Sequence, residues 1–126
     1  MKFSSAFVAL ALSAASVNAL GINCRGSSQC SQAGATLGQL QNLINNGVDN
    51  NRQYGDGQQI ACLSHLCAFF QNTGGSNSGA TAKSLLQGLV NHGCGRCGSN
   101  PTDGNDVNNG ELTVNFVNSP VCQGVC

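Results

Sequence analysis

The chain has 126 residues, with five basic and five acidic side chains and no formal net charge, so it lacks the basic surplus that holds a nucleic-acid backbone. Aromatic residues are few and tryptophan is absent, while there are 17 glycines and eight cysteines. That composition excludes a large multidomain protein and points to a thin core whose glycine-rich backbone loses much entropy on ordering.

Residues 1–19 read as a secretory signal peptide. Lys2 supplies the basic n-region, Phe7 to Ala15 the apolar h-region, and Val17-Asn18-Ala19 the small-residue cleavage site. The apolar run is too short to cross a bilayer about 30 Å thick. The expected product, residues 20–126, is one secreted, extracellular domain without a transmembrane segment. In it Arg25, Arg52, Lys83 and Arg96 face Asp49, Asp56, Asp103, Asp106 and Glu111. No Asn-x-Ser/Thr acceptor is present, and a monomer is expected.

Gly21 to Arg25 fits a short edge strand that ends at Gly26-Ser27-Ser28. From Ala33, Leu37, Leu40 and Ile44 follow at steps of four, three and four, which predicts a helix over about 33–46, stopped by Asn46-Gly47. Val48 to Gly57 reads as a polar surface loop. In Gln58 to Asn72 the apolar spacing fits neither period cleanly; two strands breaking at Ser64-His65 are preferred over one helix from Ile60 to Phe70. Thr73 to Gly79 reads as a flexible loop.

Ala82, Leu85, Leu86, Leu89 and Val90 mark a second helix over about 79–92, with Ser78 or Thr81 as cap and Gly93 as its left-handed end. Glu111 to Asn118 alternates Leu112, Val114 and Phe116 against Thr113 and Asn115, a half-buried strand. The expected fold class is α+β in the order β-α-β-β-α-β, with a further short strand near 95–98. Leu37, Leu40, Ile44, Leu85, Leu86, Leu89, Leu112, Val114 and Phe116 are the expected core.

All eight cysteines fall within the expected product, and an even count in a short secreted chain reads as four disulfides. Cys94-x-x-Cys97 alone resembles a zinc half-site or a redox motif, but zinc needs a second ligand pair and thiolates in a secreted chain with an even cysteine count tend to be oxidised, so neither metal nor cofactor is expected. If the strand near Cys67 runs antiparallel to one ending near Cys122, nested bridges Cys67–Cys122 and Cys62–Cys126 keep a near-constant register. Cys24 and Cys30 are then left for Cys94 and Cys97. The two C-terminal pairs can exchange partners within this scheme.

Several blocks resemble a known family. Residues Leu20-Gly21-Ile22-Asn23-Cys24-Arg25-Gly26-Ser27-Ser28-Gln29-Cys30, Leu89-Val90-Asn91-His92-Gly93-Cys94 and Leu112-Thr113-Val114-Asn115-Phe116-Val117-Asn118-Ser119 are similar to the smut-fungus viral killer toxins, as are Cys97-Gly98-Ser99 and Gly104-Asn105-Asp106-Val107. The resemblance implies a disulfide-rich α/β sandwich, two antiparallel helices on an antiparallel sheet, with the pairs Cys24–Cys94 and Cys30–Cys97. It also implies a secreted antifungal protein that inhibits competing cells, without catalysis, by blocking calcium channels. The viral toxin is strongly basic, and its channel block is linked to a lysine two positions before a mid-chain cysteine. With Cys67 in that place, the position holds His65.

His65, Arg25 and Arg96 are therefore the candidate target contacts, facing a fungal membrane calcium channel or a cell-surface component. A histidine takes up charge only in acid. His92, at a helix C-terminus, reads as structural, because the partial negative charge there favours an imidazolium. Lys83 lies off the apolar stripe and reads as solvated. A ribonuclease-like site would need a histidine placed beside a carboxylate, and His65 and His92 show no such arrangement with the scattered acids. Asp103-Gly104-Asn105-Asp106 resembles part of a calcium loop but lacks its ligand spacing, and reads as a turn. Binding of a cell-wall or host-surface component, as a virulence factor, is the other reading.

Overall fold

The computed structural model describes residues 20–126; the expected signal peptide, residues 1–19, lies outside the described residues. Two helices, α1 (Leu37–Gly47) and α2 (Gly79–Asn91), accompany strands β1 (Gln53–Gly55), β2 (Gln59–Leu63), β3 (Leu66–Gln71), β4 (Ser76–Ser78), β5 (Gly98–Pro101), β6 (Glu111–Phe116) and β7 (Gly124–Val125). The main sheet is antiparallel in the order β5-β6-β3-β2-β7, and β1 and β4 form a separate two-stranded ribbon.

Helix α1 starts at Leu37, four residues later than its apolar spacing suggests. Thr36 makes a capping box with Gln39, each side chain bonding the other's backbone amide. Before the cap, Gly34 is left-handed (φ 85°) and Ala33 and Ala35 are buried as loop. Gly47 is the last residue of α1 and not the left-handed stop expected after it; a side chain there would meet Val125 of β7.

Helix α2 is capped by Ser78, whose hydroxyl accepts from the Thr81 amide (3.1 Å). It ends as expected at Gly93 (φ 91°), with Cys94 N–H reaching Leu89 O (3.2 Å) and Gly93 N–H reaching Val90 O (3.0 Å). The helices run antiparallel: Ala80 N–H bonds Asn50 O just past the end of α1, and Leu37 N–H at its start bonds Gly95 O just past α2.

Residues 59–71 form a hairpin with a two-residue turn at Ser64-His65, where Ser64 is left-handed (φ 53°). The register pairs Ala68 with Val114 and Phe70 with Leu112. These side chains alternate onto one face of the sheet and join Leu37, Leu40, Ile44, Leu86 and Leu89 in the buried core. Leu85 and Phe116, also expected there, are only partly buried at its margin. Thr113 and Glu111, expected outside, are buried; Thr113 Oγ1 donates to Gln71 Oε1 (2.9 Å) and Asn72 Nδ2 to Glu111 Oε2 (3.0 Å), so their polar groups are satisfied.

Other expectations change with tertiary pairing. The Gly21–Arg25 strand is a single bridge, Asn23 with Ser99, bonded in both directions at 2.9 Å. The extra strand lies at 98–101, beyond the expected 95–98, because residues 94–97 are a turn fixed by two disulfides. The expected loops at 48–57 and 73–79 contain β1 and β4. Val48 and Tyr54 there are buried, with the Arg52 guanidinium 4.7 Å from the Tyr54 ring centre.

Candidate functional site

The long-range bridges are Cys24–Cys94 and Cys30–Cys97, with Cα separations of 5.2 and 6.1 Å. They hold the N-terminal segment against the turn that follows α2. Close approach demands glycine at two points: a Cβ on Gly26 would lie 2.6 Å from Cys97 Cβ, and one on Gly98 would lie 2.7 Å from Asn23 O. Asn115 Oδ1 accepts the Ser27 amide (2.9 Å) and ties this segment to β6.

Over these bridges lies an open depression lined by Arg25, Arg96, Ser27, Ser31 and Gly95. The structure thus brings Arg25 and Arg96 to one feature, although 70 residues separate them in the chain. Both arginines are exposed, and no carboxylate lines the depression. Four of the five acids are engaged elsewhere: Asp49 bonds the Asn51 amide, Asp56 the loop at 73–74, Asp106 the Asn108 amide, and Glu111 Asn72. A chain with no formal net charge thus carries two arginines at a feature that no carboxylate lines.

His65 occupies the β2–β3 turn and is half-buried. Its amide donates to Ala33 O (2.8 Å), its carbonyl accepts from Val117 N–H (2.8 Å), and its ring stacks on Phe116 with centroids 5.1 Å apart. Nδ1 lies 3.0 Å from Val117 O. A carbonyl only accepts, so Nδ1 carries the proton in that contact and Nε2 is the nitrogen left for a partner. The turn at residues 30–33 connects the two features, since Ser31 lines the arginine depression and Ala33 holds the His65 amide.

The tail supports the same turn. Gln123 Oε1 accepts the Ser64 amide and its Nε2 donates to Ser64 O, both at 2.8 Å. Neither Gln123 nor Asn115 stands out in the sequence, since each is one amide among many in a chain rich in them.

The sequence model of the Kp4 family matches residues 7–118. The KP4 killer toxin of Ustilago maydis P4 virus is 43% identical over 109 residues, covering 82% of this chain and 84% of the toxin. The chain belongs to the Kp4 family.

In this Kp4-family chain the C-terminal disulfides differ from the expected Cys62–Cys126 and Cys67–Cys122. Cys62 is bonded to Cys67 and Cys122 to Cys126. The reason is register: β3 pairs with β6, opposing Cys67 to Asn115, while Cys62 and Cys67 face each other across their own hairpin with Cα atoms 4.1 Å apart. The expectation assumed that the strand reaching Cys122 neighbours β3, but the tail strand β7 pairs with β2.

The remaining candidates take structural places. His92 is the C-cap of α2 and exposed. Lys83 Nζ bonds Asn50 Oδ1 (2.7 Å). Neither histidine is hydrogen-bonded to a carboxylate among the described residues. Asp106 caps the short 3₁₀ turn at 107–109, consistent with a turn. The Thr73 hydroxyl, together with the Gly74 and Thr73 amides, holds the Asp56 carboxyl below the usual carboxylate range against a smaller opposing effect of desolvation. The sulfurs of Cys62, Cys122 and Cys126 lie within 4.8 Å of one another, but each is in a disulfide and offers no thiolate to a metal.

Proposed function

We propose that this protein is a secreted, killer-toxin-like antifungal protein that acts without catalysis, inhibiting competing cells by blocking a membrane calcium channel. The observation that carries the reading is the 43% identity to a killer toxin over 82% of the chain. Secretion is supported by four disulfides and no free cysteine among the described residues, a pattern that persists in oxidising surroundings. Among the described residues no helix is long and apolar enough to cross a membrane.

The proposed contact surface is the arginine depression with the His65 turn. Arg25 and Arg96 supply charge where no carboxylate competes, and His65 offers its Nε2 to a partner. With no net positive charge in residues 20–126, four basic against five acidic side chains, long-range steering to an anionic surface is weak, so recognition rests on this local patch. The same lack of net charge favours a second reading, binding to a cell-wall or host-surface component without channel block.

Purified oxidised protein added to susceptible fungal cells, with and without excess external calcium, separates the readings. Growth inhibition relieved by calcium is expected. Wall or surface binding without inhibition supports the second reading, and turnover of RNA or glycan overturns both. Arg25→Ala/Arg96→Ala is expected to lose potency. His65→Ala is expected to lose potency as well; full potency in that variant removes His65 from the surface.

A further inference from the structure

Outside the arginine depression, the sulfurs of Cys62, Cys122 and Cys126 all lie within 4.8 Å of one another, although they belong to two different bridges. The β2–β7 register produces this cluster, because Cys62 faces Gly124, midway between the two tail cysteines. Access to the two bridges differs. Cys62 and Cys67 are fully buried, whereas Cys122 and Cys126 are half-exposed. Of these two bridges, an external thiol therefore reaches the tail bridge first.

We propose that the Cys122–Cys126 bridge is a site of covalent modification by thiols and that Cys62 captures the tail thiolate this releases, moving the cross-link from within the tail to between the tail and the β2–β3 hairpin. A thiolate from a small thiol bonds to the sulfur of one tail cysteine. The Cys122–Cys126 bond breaks, and its electron pair leaves on the other tail sulfur as a thiolate. That thiolate, within 4.8 Å of Cys62 Sγ, bonds to it. The Cys62–Cys67 bond then breaks and Cys67 departs as a thiolate that takes a proton from solvent. One external thiol is consumed in the mixed disulfide and one protein thiol appears, so the sequence is redox-neutral. The tail, already hydrogen-bonded to Ser64 through Gln123, becomes covalently joined to the turn that carries His65. This inference is independent of the channel-block reading.

The test is to incubate the purified oxidised protein with reduced glutathione, quench in acid, and map it without reduction after cleavage at Leu63 and Leu66. The expected products are a glutathione adduct on the tail, a peptide joining Cys62 to Cys122 or Cys126, and a free Cys67 thiol, with Cys24–Cys94 and Cys30–Cys97 unchanged. A tail adduct with Cys62–Cys67 intact overturns the proposal, as does no adduct or first attack at either long-range bridge. In the Cys122→Ser/Cys126→Ser variant, the Cys67 thiol is expected to appear at least about tenfold more slowly, since the buried bridge has lost its internal nucleophile. An equal rate in that variant also overturns it.

Discussion

The two pairs of disulfides do different physical work. Cys24–Cys94 and Cys30–Cys97 join residues 70 and 67 positions apart, whereas Cys62–Cys67 and Cys122–Cys126 span separations of 5 and 4. On the loop-closure argument, closing the long loop stabilises by about 4 kcal/mol, and closing a loop of a few residues by about 2 kcal/mol. Once one long bridge exists, the second closes only the short circuit through residues 24–30 and 94–97, so it adds less than the first. The long bridges thus hold the fold together and set the arginine depression; the short ones fix the hairpin and the tail that frame His65.

The largest expected effect comes from removing both long bridges. Replacing Cys24, Cys30, Cys94 and Cys97 by alanine should lower unfolding free energy by at least about 4 kcal/mol, much of a small domain's stability. Cys122→Ser/Cys126→Ser should cost no more than about 2 kcal/mol. Urea denaturation of the two variants makes the measurement, and equal losses would erase the distinction drawn between the pairs.

Packing at the staple gives a smaller test. Gly26→Ala places a Cβ 2.6 Å from Cys97 Cβ, whereas a Cβ on Gly95 meets nothing within 4 Å. Thermal unfolding should show Gly26→Ala destabilised by about 1–3 kcal/mol. Gly95→Ala should be near neutral, or slightly stabilised by the reduced entropy of its unfolded chain.

On the tail side, Gln123→Ala removes two 2.8 Å hydrogen bonds to Ser64. Each contributes about 1 kcal/mol or less at an exposed site. Amide exchange is expected to quicken at Ser64 and leave Ser27, on the staple side, unchanged. Quickening at both would show that the two regions are one cooperative unit.

The smallest effect belongs to Asp56, whose pKa is lowered in the folded protein chiefly by the Thr73 hydroxyl. A group with a depressed folded pKa contributes stability above its unfolded value, about 3.9, and that contribution is lost as pH falls through the folded value. Asp56→Asn should therefore shallow the acid limb of stability below about pH 4 and leave the staple's disulfide map unaltered. A wild-type acid limb in that variant would place the acid sensitivity elsewhere.

Much of this was legible in the residues. The apolar spacing of Leu37, Leu40 and Ile44 and of Ala82, Leu86 and Leu89 determined two helices, because a 3.6-residue period places those side chains on one face whatever the neighbours are. Gly93 marked the end of α2, since few other residues adopt a left-handed backbone. The break at Ser64-His65 was visible as polar residues between two apolar runs. Arg25 and Arg96 were marked by their place beside the expected bridges, and His65 by its place two positions before Cys67.

What the sequence could not determine was which strands lie side by side. β4 is Ser76-Asn77-Ser78, with no apolar residue, and it is a strand only because β1 lies beside it. Tyr54 reads as a loop residue and is buried in the core, in a strand paired with β4. The tail chose β2 as its partner, and that choice set the disulfide pattern, brought Cys62 near Cys122 and Cys126, and placed Gln123 on Ser64. Local periodicity records which face of an element is apolar. Which element it meets is decided by three-dimensional register and packing, and for this protein that decision assembled both the arginine depression and the sulfur cluster.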